Sequence, residues 1–465
     1  MSQQRLLKNT FLYFVGTLAT RLLNFLFLPL YTERIPAADF GYYGFVYSML
    51  SVVMPSLFFM VWDVFLRFTL DEKTDEGRER VASTVLLCTG ALFLAYGALF
   101  VAVGLLHPVR DLWLILLVSF TWLLAYIWQS GMRAHGHNRL YAIGGVAATA
   151  VTVTVNLVFI LVLRWHSVTL YAAQAASFLT VFLLAERKLR LLRRVRLSLF
   201  DRALLMRMLR FGGPLIFNSV AFWMVNGIGS LVIKVNMGDA AVGYFSAAGR
   251  FSMIVATMTQ IVYYAWQEEA FREAGSDALQ GYASQVLGHY CRVLLGGVAC
   301  GLPALALVVP WVIDSAYQPA WALVPAVVLT AVYSALSSFA GTVYSAKMRT
   351  ADILSTTIVG GVLSLALSWF GVQLFGMQAV AAAGGVGFLA VFLLRVAFSR
   401  RAAPLRVDWP LFALLNLAAG AGVALYFVGD AWVKLAASAL GFVWFLWLNR
   451  ALLRGALGAL KRRGK

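Results

Sequence analysis

Apolar stretches about as long as a membrane is thick recur along the whole chain, and short clusters of Lys and Arg separate them. A transmembrane helix takes about 20 mostly apolar residues. Windows of that length predict spans near 11–31, 42–66, 81–106, 112–130, 140–163, 168–185 and 211–233. Seven more are predicted near 240–266, 293–313, 320–346, 353–375, 377–398, 409–428 and 431–448. Of the 465 residues 61% are hydrophobic and 12% charged, whereas soluble domains are nearer a quarter charged. A large aqueous domain is therefore excluded. The expected class is an all-α polytopic membrane protein of about fourteen transmembrane helices.

Sidedness follows from the basic residues, since cytoplasmic loops collect Lys and Arg. With a cytoplasmic N-terminus, 31 of the 38 Lys and Arg fall in inner segments. Five fall outside, at Arg34, Arg110, Arg164, Lys234 and Lys434, and Arg21 and Arg250 lie within spans. Residues that merely cap helix ends would divide evenly, so both termini are expected in the cytoplasm. The net charge of +18 would suggest nucleic acid in a soluble protein. Here the cations alternate with spans and form no continuous face, which excludes that partner. The first apolar run contains Arg21 and Asn24, which a signal-peptide core avoids, so it is expected to stay as the first helix.

Two sequence matches indicate an internal repeat. Phe40-Gly41-Tyr42-Tyr43 enters the second span and Val242-Gly243-Tyr244-Phe245 the eighth. The run Phe178-Leu179-Thr180-Val181-Phe182-Leu183-Leu184 in the sixth span returns as Phe388-Leu389-Ala390-Val391-Phe392-Leu393-Leu394 in the twelfth. Six spans per repeat insert in the same direction, which gives a parallel repeat of two six-helix lobes around a central cleft. The expected organisation is an N-lobe over 1–186, a basic cytoplasmic linker over 187–210, a C-lobe over 211–401, and two further helices with a basic tail over 402–465.

Catalysis finds little support. A membrane glycan-transfer enzyme needs an aqueous domain or long outer loop to bring acceptor and base together, and the outer connections are about ten residues or fewer. Glu33 and Asp39 fit loop or capping roles. His135 and His137 lack further ligands for a metal. Cys88, Cys291 and Cys300 make neither a disulfide framework nor a zinc spacing, and Gly384-Gly385-Val386-Gly387 suits close helix packing. No catalytic residue, metal or cofactor is expected.

Charges inside the bilayer are costly and mark function. Arg21 lies midway along the first span and Arg250 inside the eighth, and both are expected to contact an anionic substrate. Arginine's paired donors match phosphate oxygens. Arg67 and the basic linker would concentrate such an anion at the cytoplasmic mouth. Asp63 and Arg67, four residues apart, share one helix face and are able to pair. Asn24, Asn156, Asn218, Asn226 and Gln260 are intramembrane polar groups suited to sugar hydroxyls or to interhelical packing. The residues alone thus lead to an exporter or flippase of something phosphorylated.

Several motifs in order then resemble a known family. Lys8-Asn9-Thr10-Phe11, Phe27-Leu28-Pro29-Leu30-Tyr31-Thr32 and Asp39-Phe40-Gly41 resemble the opening of the Wzx-type oligosaccharide flippases, polysaccharide-biosynthesis exporters of the MOP superfamily. Leu66-Arg67-Phe68, Phe211-Gly212-Gly213-Pro214-Leu215, Ala241-Val242-Gly243-Tyr244-Phe245 and Phe375-Gly376-Met377-Gln378-Ala379-Val380-Ala381 continue the likeness. The resemblance implies alternating-access flipping of undecaprenyl-pyrophosphate-linked oligosaccharide units to the outer leaflet of the bacterial inner membrane, by a monomer. Surface polysaccharide (O-antigen, capsule or exopolysaccharide) would follow, with membrane lipids and polymerase or ligase machinery as partners.

By the same resemblance, Arg21 and Arg250 match arginines of the related lipid II flippases. Those proteins carry further arginines where this chain has Phe25-Leu26-Phe27 and Leu57-Phe58-Phe59-Met60, which makes lipid II the alternative cargo. Multidrug and toxin exporters of the superfamily place an acid in the first helix, where this chain has Arg21. An ion-coupled multidrug exporter is the other alternative. Coupling would come from the membrane potential or from a proton or sodium ion, with Asp63 as the candidate ion-coupling residue.

Overall fold

The computed structural model describes residues 25–272, 278–347, 349–399, 404–452 and 454. Helices fill it, and among the described residues there is no strand. They are α1 (Leu28–Arg34), α2 (Ala37–Leu57), α3 (Val61–Asp71), α4 (Asp75–Leu106), α5 (Leu112–Ala134), α6 (Asn138–Leu157) and α7 (His166–Leu189). The short α8 (Leu191–Arg194) precedes α9 (Arg202–Asn226), α10 (Ile228–Met237), α11 (Asp239–Arg272) and α12 (Ala278–Val312). After α13 (Gln318–Trp321) come α14 (Val324–Ala346), α15 (Thr350–Phe398), α16 (Trp409–Phe427) and α17 (Ala431–Leu448).

Ten of the described helices are long and apolar enough to cross a membrane, or eleven when α2 and α3, bent by 42°, count as one broken span. The chain is thus multi-pass by length and composition. α15 is a hairpin, because Gly376 interrupts it at φ 59 and ψ −142. Its arms return antiparallel: a Cβ on Gly371 would meet the Ala379 methyl at 2.8 Å, and one on Gly360 the Gly387 carbonyl at 2.9 Å. Gly376 thus ends the eleventh predicted span and starts the twelfth. Gly384 and Gly385 receive the Thr330 side chain of α14 at 3.2 Å, so the glycine run serves helix packing.

Helix starts are capped where the chain must turn back. Thr74 accepts from Gly77 N at 3.1 Å, Asp408 from Leu411 N at 3.1 Å and Asp430 from Val433 N at 2.9 Å. Each satisfies a backbone donor that a helix leaves open in its first turn.

Contacts divide the chain into two compact units. One holds Arg34–Trp223, the other Phe27–Glu33 and the chain from Met224 onward, so the division falls inside α9. In the first unit α5 packs on α3 and α7, and α6 on α7. Phe40, Phe58, Phe65, Trp128 and Tyr171 are fully enclosed there. In the second unit α14 packs on α11 and on the α15 hairpin, while α12 packs on α16 and α17. The Trp266 and Phe339 rings stack at 4.5 Å in its core. α17 buries none of its residues, as expected for a helix whose surroundings are lipid.

The repeated motifs at Phe40 and Val242 each lie near the start of a helix in their own unit. Asp39 opens α2 and pairs with Arg110 at 2.5 Å. Asp239 opens α11 and pairs with Lys234. Tyr43 and Tyr244, which are one position out of register in the repeat, each make an edge-on ring contact within their unit, with Tyr171 and Tyr317.

Candidate functional site

The second predicted span is broken where the sequence looks continuous. Phe59 and Met60 both take the left-handed conformation, φ 50 and 51, which costs a non-glycine residue about 1–3 kcal/mol. Pro55 prepares the break by withholding an N–H from the helix, and its carbonyl accepts from Met60 N at 2.8 Å. Trp62 and Asp63 sit in the first turn of α3 beyond the break. The Trp62 ring lies 5.2 Å from Tyr126, which stacks on Trp122 at 5.5 Å, and Trp122 lies 5.2 Å from Tyr47. Residues of α2, α3 and α5 thus build an aromatic wall within the first unit.

The Asp63–Arg67 ion pair that the spacing allows is not formed. Arg67 Nε reaches Asp71 Oδ2 at 3.2 Å, with both side chains more than half exposed. Asp63 is half-buried, and the charge acting on it is Arg133 from the last turn of α5, with the Trp62 indole beside it. On α3 the three residues follow one another at four-residue steps, so Arg67 can turn to either acid. Pairing at the solvated end costs less desolvation.

The other predicted site residues are scattered. Arg21 and Asn24 lie outside the described residues. Arg250 stands one-third of the way along α11, half-buried, with Nη1 at 3.8 Å from Met253 Sδ. Gln260 follows on the same helix, about 15 Å further along its axis, and is also half-buried. Asn226 is exposed at the end of α9, where Gly227 separates it from α10, and Asn218 is exposed on α9 within the first unit. Asn156 is buried at the end of α6, both amide atoms without a hydrogen-bond partner among the described residues.

The basic linker is fastened to the first unit. Glu186 receives the Trp128 indole N–H at 2.8 Å and the backbone N–H groups of Leu191 at 2.9 Å and Leu192 at 3.2 Å. Further on, Arg196 N donates to Ser83 Oγ and Asp201 N to Thr84 Oγ1, each at 3.1 Å. The run therefore lies along the start of α4. Asp201 also receives Leu204 N at 2.9 Å, opening α9, and its carboxyl is held below the usual range, first by that bond and then by Ala203 N–H, Arg80 and Arg207.

Two groups that matter structurally were not singled out from sequence. Glu186 follows a continuous apolar run and gives no spacing signal. Arg395 counts in the sequence as a cation at an inner helix end, yet it is 6% exposed. Its Nη1 donates to the Ser337 carbonyl at 2.6 Å, Nη2 to Thr357 Oγ1 at 3.0 Å and Nε to Thr356 Oγ1 at 3.2 Å. The Tyr344 hydroxyl donates to its carbonyl at 2.6 Å. These bonds fasten both arms of α15 to α14 through neutral acceptors. The signal available was an arginine with Leu393-Leu394 before it and Val396-Ala397-Phe398 after it.

No family profile and no curated protein matches the chain. Solved structures do. The lipid II flippase MurJ in its inward closed conformation matches with a TM-score of 0.68 and 12% identity, over 96% of this chain and 100% of that one. An outward-facing multidrug resistance MATE family transporter of the MOP superfamily matches with a TM-score of 0.59 and 15% identity, over 88% and 96%.

The chain shares the fold of these MurJ and MATE structures. A MATE structure in complex with MaL6 gives the same TM-score of 0.59 at 16% identity, over 88% and 96%. At such identities the MOP fold is what is shared. Within that shared fold, Arg250 is a cation well inside a long helix, and Asp63 an acid under the charge of Arg133 from another helix.

Proposed function

We propose that this protein is a flippase that moves an undecaprenyl-pyrophosphate-linked oligosaccharide unit from the cytoplasmic to the outer leaflet by alternating access, for surface polysaccharide assembly. The observation that carries this reading is Arg250, half-buried well inside a 34-residue helix of a MOP fold. A cation at such depth is costly unless it serves a ligand or partner, and its paired donors suit pyrophosphate oxygens. Arg21 takes the same role on the sequence argument. Arg67 meets the anion at the cytoplasmic mouth, and Asn24, Asn218, Asn226 and Gln260 are assigned to the glycan hydroxyls. Outward movement of negative charge is favoured by a potential negative inside, by about 2.3 kcal/mol per charge per 100 mV.

Asp63 favours a second reading, an ion-coupled exporter, because a half-buried acid under the charge of Arg133 is suited to exchanging a proton or sodium ion. The likeness to MurJ keeps lipid II as an alternative cargo. The deciding experiment is export complementation in a strain lacking its own oligosaccharide flippase, with wild type, Arg21→Ala and Arg250→Ala at matched membrane levels. Surface glycan restored by wild type and lost in both variants is the expected result. Restoration by all three removes the arginines from the site. Failure of wild type with every lipid-linked glycan offered, together with dye efflux, replaces the flippase with the exporter.

A further inference from the structure

A cavity of about 270 Å³ opens in the second unit between the N-terminal half of α12 and the start of α16, on the side that the Lys and Arg distribution assigns to the cytoplasm. Its polar lining includes Arg292, Arg406, His289 and Ser284, and its apolar lining Leu287, Phe412 and Leu415. We propose that this cavity binds the phosphate headgroup of an anionic phospholipid.

The charge is arranged for an anion. Arg406 is set in place by its own backbone, whose N–H donates to Ser284 Oγ at 2.9 Å, while Ser284 in turn donates to the Gln280 carbonyl at 2.8 Å. The adjoining turn is fixed as well, with Leu405 N donating to Ser399 Oγ at 2.9 Å. Arg292 faces the cavity from α12, and its Nε is buried without a hydrogen-bond partner among the described residues. Asp408, the acid of the lining, is committed to the first turn of α16 by accepting from Leu411 N. Two arginines thus line one space, and guanidinium donors suit phosphate oxygens.

The apolar lining and its surroundings favour a lipid over a soluble phosphate. Trp409, half-exposed and edge-on to Phe412 at 6.0 Å, stands in the first turn of α16, and tryptophan at a span end marks the headgroup level. Beyond it Leu414 and Leu417 are exposed along α16, giving acyl chains an apolar path away from the cavity. Basic pockets between transmembrane helices on the cytoplasmic side hold anionic headgroups. A free phosphate ion would make no use of Leu287, Phe412 and Leu415.

The test is native mass spectrometry of the purified full-length protein in detergent, titrated with phosphatidylglycerol, phosphatidylcholine or inorganic phosphate. Phosphatidylglycerol is expected to bind and phosphatidylcholine not. Arg292→Gln and Arg406→Gln each weaken the tightest phosphatidylglycerol site about fivefold, following about 1 kcal/mol per basic residue, while Arg139→Gln, at an exposed position elsewhere, leaves it unchanged. Arg406 is exposed, so its variant decides alone if Arg292→Gln does not fold. Phosphatidylglycerol affinity unaltered in Arg406→Gln overturns the proposal. So does displacement of the lipid by millimolar inorganic phosphate, which would make the ligand a soluble phosphate.

Discussion

Gly212 of α9 lies against the Phe59 carbonyl, so close that a Cβ there would stand 2.4 Å from the oxygen. The break between α2 and α3 is therefore held by a helix far along the chain. The Phe68 and Phe211 rings, edge-on at 6.0 Å, flank the same contact.

Gly212→Ala is expected to destabilise the protein by about 1–3 kcal/mol, the usual cost of overpacking, because the opposing atom belongs to backbone. The neighbouring Gly213 has nothing within 4 Å of its Cβ position. Gly213→Ala should therefore gain up to about 1 kcal/mol of helix propensity. Thermal unfolding of the two variants in detergent checks the contrast, and equal losses in both would remove the contact from the account.

At Arg395 the acceptors lie in a fan that one ammonium cannot span. Arg395→Lys is expected to lose about 2–3 kcal/mol, since hydrogen bonds to a charged group contribute about 1.5–3 kcal/mol each. Gly341→Ala tests the same contact from the other side, because its Cβ would stand 2.7 Å from Nη1. Unfolding temperature and membrane abundance are the measurements, and an unchanged Arg395→Lys would contradict the assignment.

Asp63 and Arg133 should be energetically coupled while Asp63 and Arg67 are not. Double-mutant cycles with Asp63→Asn are expected to give an interaction of about 0.5 kcal/mol or more with Arg133→Gln, and additivity within about 0.3–0.5 kcal/mol with Arg67→Gln. The reverse pattern would restore the pairing allowed by spacing alone.

His135 closes α5 with Nδ1 at 2.9 Å from the Gly131 carbonyl. Burial lowers its pKa from the ordinary 6.5, and Arg78, Arg194 and His137 add to the effect. A lowered value means the unfolded chain takes up the proton first, so the stabilisation is present above pH 6.5 and is lost as pH falls through the folded value. Thermal stability between pH 7.5 and about 5 should fall less in His135→Asn than in wild type. An identical pH dependence would exclude His135 as a contributor.

Much of the architecture was legible because spans obey length and hydropathy. Gly376 marked the turn between two spans, and the basic residues marked ends. The α2–α3 break was not read from the sequence: Leu57-Phe58-Phe59-Met60 is apolar throughout, Pro55 alone hints at it, and the contact with Gly212 comes from far along the chain. Spacing allowed Arg67 as a partner of Asp63, because a four-residue rule considers one helix, whereas the charge acting on Asp63 comes from Arg133 of another. Arg250 could be found from its position within an apolar run, whereas the partners of Arg395 come from residues about forty to sixty positions earlier, beyond any local pattern.

The fastening of the linker changes what its nine cations can do. Glu186, Ser83 and Thr84 hold the backbone at Leu191, Arg196 and Asp201, so the cations spring from an anchored chain. Ordering a free segment costs about 1–2 kcal/mol per residue, and here that cost was met when the protein folded. A negatively charged surface approaching this face encounters a pattern already in register, and its affinity should depend on where the charges stand as well as on how many there are.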